Sequence, residues 1–391
     1  MLNLKETKSI VALVGCSDYK LESLKKALSI AFDLIGGIKT IVKPNHKILL
    51  KPNIMMPKPP GHPANTHPNL IKAVAELFQE AGGNLSIGES SAGSLAGLTF
   101  TAKALSQSGV ADLAKSLNVP LINFDLAPVI NKKIDNPYVA TIPIARSVLE
   151  ADLVVTMPKL KTHTYGTIIT GAVKNCYGMV PGQIKAEFHR RAPEPKKFFS
   201  IIRDLFGLVR PKLAIMDAVT AMEGDGPSAG HERQVGFLIV SQDPVAVDVV
   251  AAELIGVSAR NVLTNKLCAE AGLGAGELDS IDLRGENLRE VIIKDFKLPT
   301  NKIRNPLIYQ LTINLTKKKP EINHKICKLC NICKDSCPLQ AISQKNEKMV
   351  IDYEVCIRCF CCSEVCPVQA CRPKWEHLLG ELVSRIISSR W

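Results

Sequence analysis

Residues 153–163 read Leu153-Val154-Val155-Thr156-Met157-Pro158-Lys159-Leu160-Lys161-Thr162-His163. The first part is apolar and β-branched, without polar alternation. That is the pattern of a strand covered on both faces, as in a parallel sheet. The apolar run stops at Met157, a proline follows, and three basic side chains crowd the next five positions. Open parallel sheets bind ligands beyond the carboxyl ends of their strands. The stretch therefore predicts an α/β fold and sets Lys159, Lys161 and His163 where a ligand would lie. Three cations so close together beside a buried strand form a pocket for an anion.

The same design recurs along the first 300 residues. Ile48–Leu50 is followed by Lys51-Pro52-Asn53, Leu85–Ile87 by Gly88-Glu89-Ser90-Ser91, and Leu213–Met216 by Asp217. Further strands are expected at Ser9–Gly15, Leu121–Phe124 and Gly236–Val240. Helical periodicity marks Leu21–Ile35, Pro68–Ala81 and Pro244–Leu254. Thr66 or His67 would cap the second helix. Asp243 would cap the third, with Pro244 at its first position. Alternating strands and helices predict a largely parallel sheet with flanking helices. If the strands are parallel, the polar clusters share one rim. Gly171 and Gly178 bracket Lys174-Asn175 and point to close backbone approach.

The candidate ligand-binding residues are thus Lys51, Asn53, Lys159, Lys161, Lys174 and Asn175. His163 and Glu89 are the candidates for proton transfer. Plainer readings stand beside these: a solvated Lys51, a helix-capping Glu89. Glu223 and Asp225 read first as a turn, and Asp248 as part of a helix's opening turns. Cys16, Cys176 and Cys268 read as small core residues.

The tail has a different character. Ten of the 13 cysteines lie between Cys327 and Cys371. The order is Cys327-x2-Cys330-x2-Cys333-x3-Cys337-Pro338, then Cys356-x2-Cys359-x2-Cys362-x3-Cys366-Pro367. Each copy has the bacterial ferredoxin spacing for a [4Fe–4S] cluster. Three thiolates on a tight loop hold three corners of one cubane, and the fourth cysteine crosses to the other cluster. One cluster is assigned to Cys327, Cys330, Cys333 and Cys366. The second is assigned to Cys356, Cys359, Cys362 and Cys337. Zinc sites are usually closed by pairs of ligands and do not need four cysteines per repeat with a trailing proline. Cys361 and Cys371 fall outside the pattern. Pro338–Ile342 reads as a short helix, and Lys348–Asp352 as a strand. The tail resembles a two-cluster ferredoxin from Asn323 to Arg372. Leu378, Leu379, Leu382, Val383, Ile386 and Ile387 then recur at helical spacing, as in an amphipathic helix. The expected division is an α/β domain at 1–300, a basic linker at 301–322, the cluster domain at 323–373 and the helix at 374–391.

Composition sets the outer limits. With 391 residues, 46% apolar and 22% charged, the chain is neither disordered nor collagen-like. No apolar run reaches the ~18–20 residues that span a bilayer. Met1–Gly15 reads as a first strand and not as a signal peptide, so a cytoplasmic location is expected. The net charge is +12. Residues 301–391 hold 15 Lys and Arg against 8 Asp and Glu, so the excess is concentrated beside the cysteines. Walker A, G-x-G-x-x-G, G-x-S-x-G and nucleic-acid-binding signatures are missing from the sequence.

Lys51-Pro52-Asn53, Gly88-Glu89-Ser90, Pro158-Lys159-x-Lys161-Thr162-His163, Gly171-x2-Lys174-Asn175-x2-Gly178 and Asp243-Pro244-x-Ala246-x-Asp248 occur in that order. As an ordered set they resemble the prokaryotic domain of unknown function 362 family. Its members often carry a C-terminal two-cluster ferredoxin. The likeness covers about Ile10 to Val257, plus the tail. It implies an iron–sulfur protein and supplies no substrate or catalytic residue. The expected function is an oxidoreductase passing electrons between two [4Fe–4S] clusters and an anionic small molecule, with a redox partner protein or enzyme. The rivals are an electron carrier docking on a partner enzyme and a metallocofactor assembly factor.

Overall fold

A computed structural model describes residues 8–91, 101–163, 167–192, 194–224, 226, 227, 230–299, 318–335, 337, 340–356, 362, 366, 368 and 370–376. The described residues form two compact units. One holds those of 1–92, 100–180 and 194–302; the other holds those of 181–193 and 303–391. Residues 181–192 thus group with the second unit, whereas the expected division put them in the α/β domain.

In the first unit the strands are β1 (Ser9–Gly15), β2 (Lys47–Pro52), β3 (Asn84–Glu89), β4 (Leu121–Asn123), a β5–β6 hairpin (Val129–Lys133 and Thr141–Ala145), β7 (Leu153–Met157), β8 (Lys159–Thr162), β9 (Ile169–Thr170), β10 (Leu213–Glu223), β11 (His231–Ser241) and β12 (Ile281–Gly285). The main sheet runs β12-β1-β11-β10-β7-β2-β3-β4. Neighbours are parallel except β11, which is antiparallel to both β1 and β10. β10, β7, β2 and β3 are therefore adjacent and parallel, and their carboxyl ends lie side by side.

Strand side chains alternate between two cores, as the pleat requires. Ala12, Val14, Leu213, Ile215, Leu238 and Val240 pack with the helices Leu21–Leu34 and Pro68–Glu80. Val11, Leu13, Ala214, Met216 and Ile239 pack with the helix Pro244–Leu254. That helix is apolar almost all round and almost wholly buried, as a helix with no solvent face must be. Asp243 starts it, accepting from the amides of Val245 at 2.9 Å and Ala246 at 3.2 Å. His67 caps the helix Pro68–Glu80, its Nδ1 accepting from Asn69 N at 3.0 Å. Thr66 instead ties the β7 end, donating to Met157 O at 2.7 Å.

Two sheet details differ from the sequence reading. Lys159–Thr162 is not a loop after β7. It is a strand of its own, parallel to β10 and antiparallel to β9. Pro158 has no amide proton to carry the ladder on, so it separates β7 from β8. β10 also continues to Glu223, placing Asp217 inside the strand and opposite Lys159.

In the second unit, β13 (Lys318–Ile322) pairs with β16 (Cys371–Trp375), and β14 (Ile342–Lys345) with β15 (Lys348–Ile351). The end of the expected linker is thus a strand, and Ile342 opens a strand and not a helix. Pro338 and Leu339 lie outside the described residues, as does the expected C-terminal helix from His377 on. Hydrogen bonds repeat at the 29-residue step from Cys327 to Cys356. Cys327 N donates to Asn323 O at 3.1 Å and Cys356 N to Asp352 O at 2.9 Å. Lys325 N meets Asn323 Oδ1, and Glu354 N meets Asp352 Oδ1, both at 3.0 Å. The cysteine repeat is therefore a repeat of backbone structure.

Candidate functional site

Two places carry chemistry, one in each unit. In the second, Cys327, Cys330, Cys333 and Cys366 line one cavity. Ile322, Met349, Val368 and Ala370 complete an apolar wall. Three thiols from the first repeat thus line the same cavity as the last thiol of the second. The four cysteines offer sulfur donors alone, which suits an iron–sulfur cube. Backbone amides point at the sulfurs of the last cysteine in each repeat, in equivalent positions. Ala341 N donates to Cys337 Sγ at 3.2 Å and Ala370 N to Cys366 Sγ at 3.1 Å. Such bonds favour the more negative, reduced state of a cluster. Of the second expected set, Cys337, Cys356 and Cys362 are described, while Cys359 lies outside the described residues along with Cys361. Cys371 lines the same cavity as the first set, and its Sγ lies 3.5 Å from Cys362 Sγ.

In the first unit the rim residues sort into three groups. The first is a buried ion pair. Lys51 Nζ lies 2.8 Å and 2.9 Å from the two carboxylate oxygens of Glu89. It also donates to Pro52 O at 2.7 Å and Asn175 Oδ1 at 3.3 Å. Glu89 accepts in addition from Ile54 N and Ser90 N, each at 2.8 Å. The Asn175 amide returns to Lys51 O and Thr156 Oγ1. A Cβ at Gly178 would collide with both partners of the pair, so glycine is required there by close approach. Gly171 likewise leaves room for Asp248, whose carboxylate receives the amides of Ala172 and Val173. Burial raises the Asp248 carboxyl to about 7, against those two hydrogen bonds.

The second group surrounds Lys159. Its ammonium lies 3.1 Å from Asp217 Oδ2 and donates to Tyr19 OH at 2.6 Å and Thr220 Oγ1 at 3.0 Å. Tyr19 OH donates to Asp217 Oδ1 at 2.7 Å, and its ring stacks on His67 at 3.8 Å. Burial lowers the Lys159 ammonium despite Asp217, and it lowers His67 to about 4. His67 is therefore neutral at physiological pH. Tyr19, His67 and Thr220 were not foreseen as site residues. Tyr19 is 140 positions from Lys159, and only the topology joins them.

The third group makes no ion pair among the described residues. Lys161 is 1% exposed, yet among the described residues its Nζ meets only Ala64 O at 2.8 Å and Met55 Sδ at 3.5 Å. Burial lowers its ammonium far below the usual range, and the like charge of Lys174 is the next largest cause. Half-buried Lys174 makes no ion pair among the described residues, and burial lowers it to about 8. The carboxamide oxygen of Asn53 is buried with no hydrogen-bond partner. His163 is buried at the end of β8, its amide on Ile168 O at 2.9 Å. Asp225 lies outside the described residues, while Glu223 is buried at the end of β10, with Oε2 accepting from Lys297 N at 3.1 Å.

Comparison with known proteins agrees with both units. Residues 48–253 match the model of Domain of unknown function (DUF362), and residues 319–367 match a 4Fe-4S dicluster domain. The chain is 31% identical over 291 residues to "Thylakoid-associated protein sll1697" of Synechocystis sp. (strain ATCC 27184 / PCC 6803 / Kazusa). That span covers 74% of this chain and 87% of the relative. Among solved structures, the lactate racemase apoprotein from Thermoanaerobacterium thermosaccharolyticum matches with a TM-score of 0.40 at 15% identity. The match covers 66% of this chain and 59% of that one, and it carries no argument about activity. Among the described residues, no helix is long and apolar enough to cross a membrane.

Proposed function

The chain belongs to the domain of unknown function 362 family and ends in a 4Fe–4S dicluster domain; from that premise we propose that it is an oxidoreductase exchanging electrons between two [4Fe–4S] clusters and an anionic small molecule. The coarser statement, an iron–sulfur electron-transfer protein, follows from the dicluster domain. The observation that carries the finer reading is the cavity shared by Cys327, Cys330, Cys333 and Cys366. It supports one cluster held by three cysteines of the first repeat and the fourth of the second. By the symmetry of the repeat, Cys356, Cys359, Cys362 and Cys337 hold the other. When bound, such clusters accept and release single electrons.

The α/β unit contributes binding and protons. Lys51 and Glu89 neutralise each other, and we assign them to shaping the rim. Lys159 is tied to Asp217 and Tyr19. Lys161 and Lys174 remain to attract the anion, and Asn53 in the loop after β2 offers a buried amide without a hydrogen-bond partner. His163 takes the proton-transfer role, since Glu89 is committed to Lys51 and two backbone amides. Ile326 and Val355 occupy equivalent places just before the two cysteine loops, and both are exposed apolar side chains. They favour a protein redox partner at the cluster unit. That feature also suits a second reading, a carrier docking on a partner enzyme.

The test is reoxidation of the reduced protein by a panel of anionic metabolites under anaerobic conditions. A compound that reoxidises the protein should lose that ability in a Lys161→Ala/Lys174→Ala variant. Full turnover in the variant would remove the pocket from the mechanism. No reoxidation by any compound, with fast transfer to a partner protein, would favour the carrier.

A further inference from the structure

We infer that Cys371 is a positioning residue of the cluster unit: its thiol donates a hydrogen bond to Cys362 and raises the potential of the second cluster. This builds on the cluster assignment above and concerns a thiol that neither set of four uses.

The two repeats superpose at the 29-residue step well beyond their cysteines. Ala341 N and Ala370 N each donate to the last cysteine of their own repeat. The carbonyls of the same two alanines accept from Asp352 N and Asn323 N, both at 2.8 Å. The next residue along is Ile342 in one repeat and Cys371 in the other. Ile342 pairs with Ile351 across one strand pair, and Cys371 with Ile322 across the other. Four equivalent buried positions thus hold three isoleucines and one cysteine. Cysteine offers less apolar surface than isoleucine, so packing alone does not favour it there.

What the cysteine adds is a donor. Its Sγ lies 3.5 Å from Cys362 Sγ, and both side chains are buried. Cys362 is assigned to the second cluster, where it serves as a thiolate and has no proton. The hydrogen between the two sulfurs then comes from Cys371. Eight thiolates fill the corners of two cubes, so Cys371 has no iron to bind. A hydrogen bond to a charged acceptor away from water is stronger than one between neutral groups in water. It stabilises the more negative, reduced cluster and so raises its potential. Cys333 is the counterpart of Cys362, and it shares its apolar surroundings with Ile342, which has no proton to give. Cys371 also lines the cavity of the first set, yet its thiol donates to the second set. One side chain therefore makes the two clusters unequal.

The experiment is an anaerobic redox titration of the full chain, followed by electron spin resonance, with iron and sulfide counted in each sample. Wild type should show two midpoints. Cys371→Ala should weaken reduction at one of them by about three- to tenfold and leave the other nearly unchanged. Tenfold corresponds to about 59 mV for one electron. Cys371→Ser keeps a donor and should hold the midpoint near that of wild type, which a packing role would not do. Cys371→Ile copies Ile342 and should act as Cys371→Ala does; it keeps the core filled if the smaller side chain prevents folding. Ile342→Cys should raise the other midpoint. Unchanged midpoints in Cys371→Ala and Cys371→Ile, with iron retained, would overturn the inference and leave the clusters standing. Loss of one cluster's iron from both variants would make Cys371 a ligand and would also overturn it. A wild-type chain without iron and sulfide would overturn the cluster reading, and the inference with it.

Discussion

Glu89 shows how a residue can be picked out correctly by pattern and still have its work misread. The motif Gly88-Glu89-Ser90 marks it, and the structure gives it a buried ion pair with Lys51, with both side chains almost fully covered. Removing one partner of such a pair leaves the other charge buried and alone. Glu89→Gln should therefore cost about 3–5 kcal/mol of stability, read by chemical denaturation. A loss below about 1 kcal/mol would mean that the pair is solvated. The sequence identified Lys51, Glu89, Asn175 and Gly178 as unusual, but not that they touch. Lys51 and Asn175 are 124 positions apart, and a separation of that size leaves no periodic trace. Tyr19 and His67 were invisible for a related reason, since an aromatic ring and a helix cap each look ordinary locally.

At the scale of elements, local signals were readable and long-range ones were not. The helix Pro244–Leu254 was legible to the residue because its cap and its first-turn proline are adjacent in the chain. Asp243→Ala should cost about 0.5–2 kcal/mol through loss of that cap, seen as a lowered unfolding midpoint. Asp243 also accepts from Ser9 and Ala275, so the upper end of that range is expected. Strand β8 was missed because Lys-Leu-Lys-Thr alternates like a solvated edge. Pairing with β10 and with β9 accompanies its complete burial, and neither partner is visible from four residues. The 29-residue repeat of hydrogen bonds in the cluster unit was half legible. The cysteines declared it, while the matching Asn323 and Asp352 turns did not.

At the scale of the whole molecule, the α/β class followed from the order of strands and helices, and the sheet order did not. The antiparallel β11 between β1 and β10 joins segments more than 200 positions apart, and nothing in its own sequence gives that partner. The charge also takes on a different meaning. A [4Fe–4S] cube with four thiolates carries about −2 when oxidised, so two of them would bring the tail from +7 to about +3. The basic excess of the tail then serves anionic clusters more than nucleic acid. In the α/β unit, Lys161 and Lys174 make no ion pair among the described residues. The whole account depends on the clusters, and chemical analysis of the anaerobically purified full chain tests them most directly. It predicts about eight iron and about eight acid-labile sulfide per chain. Zinc at stoichiometric level without sulfide would contradict it.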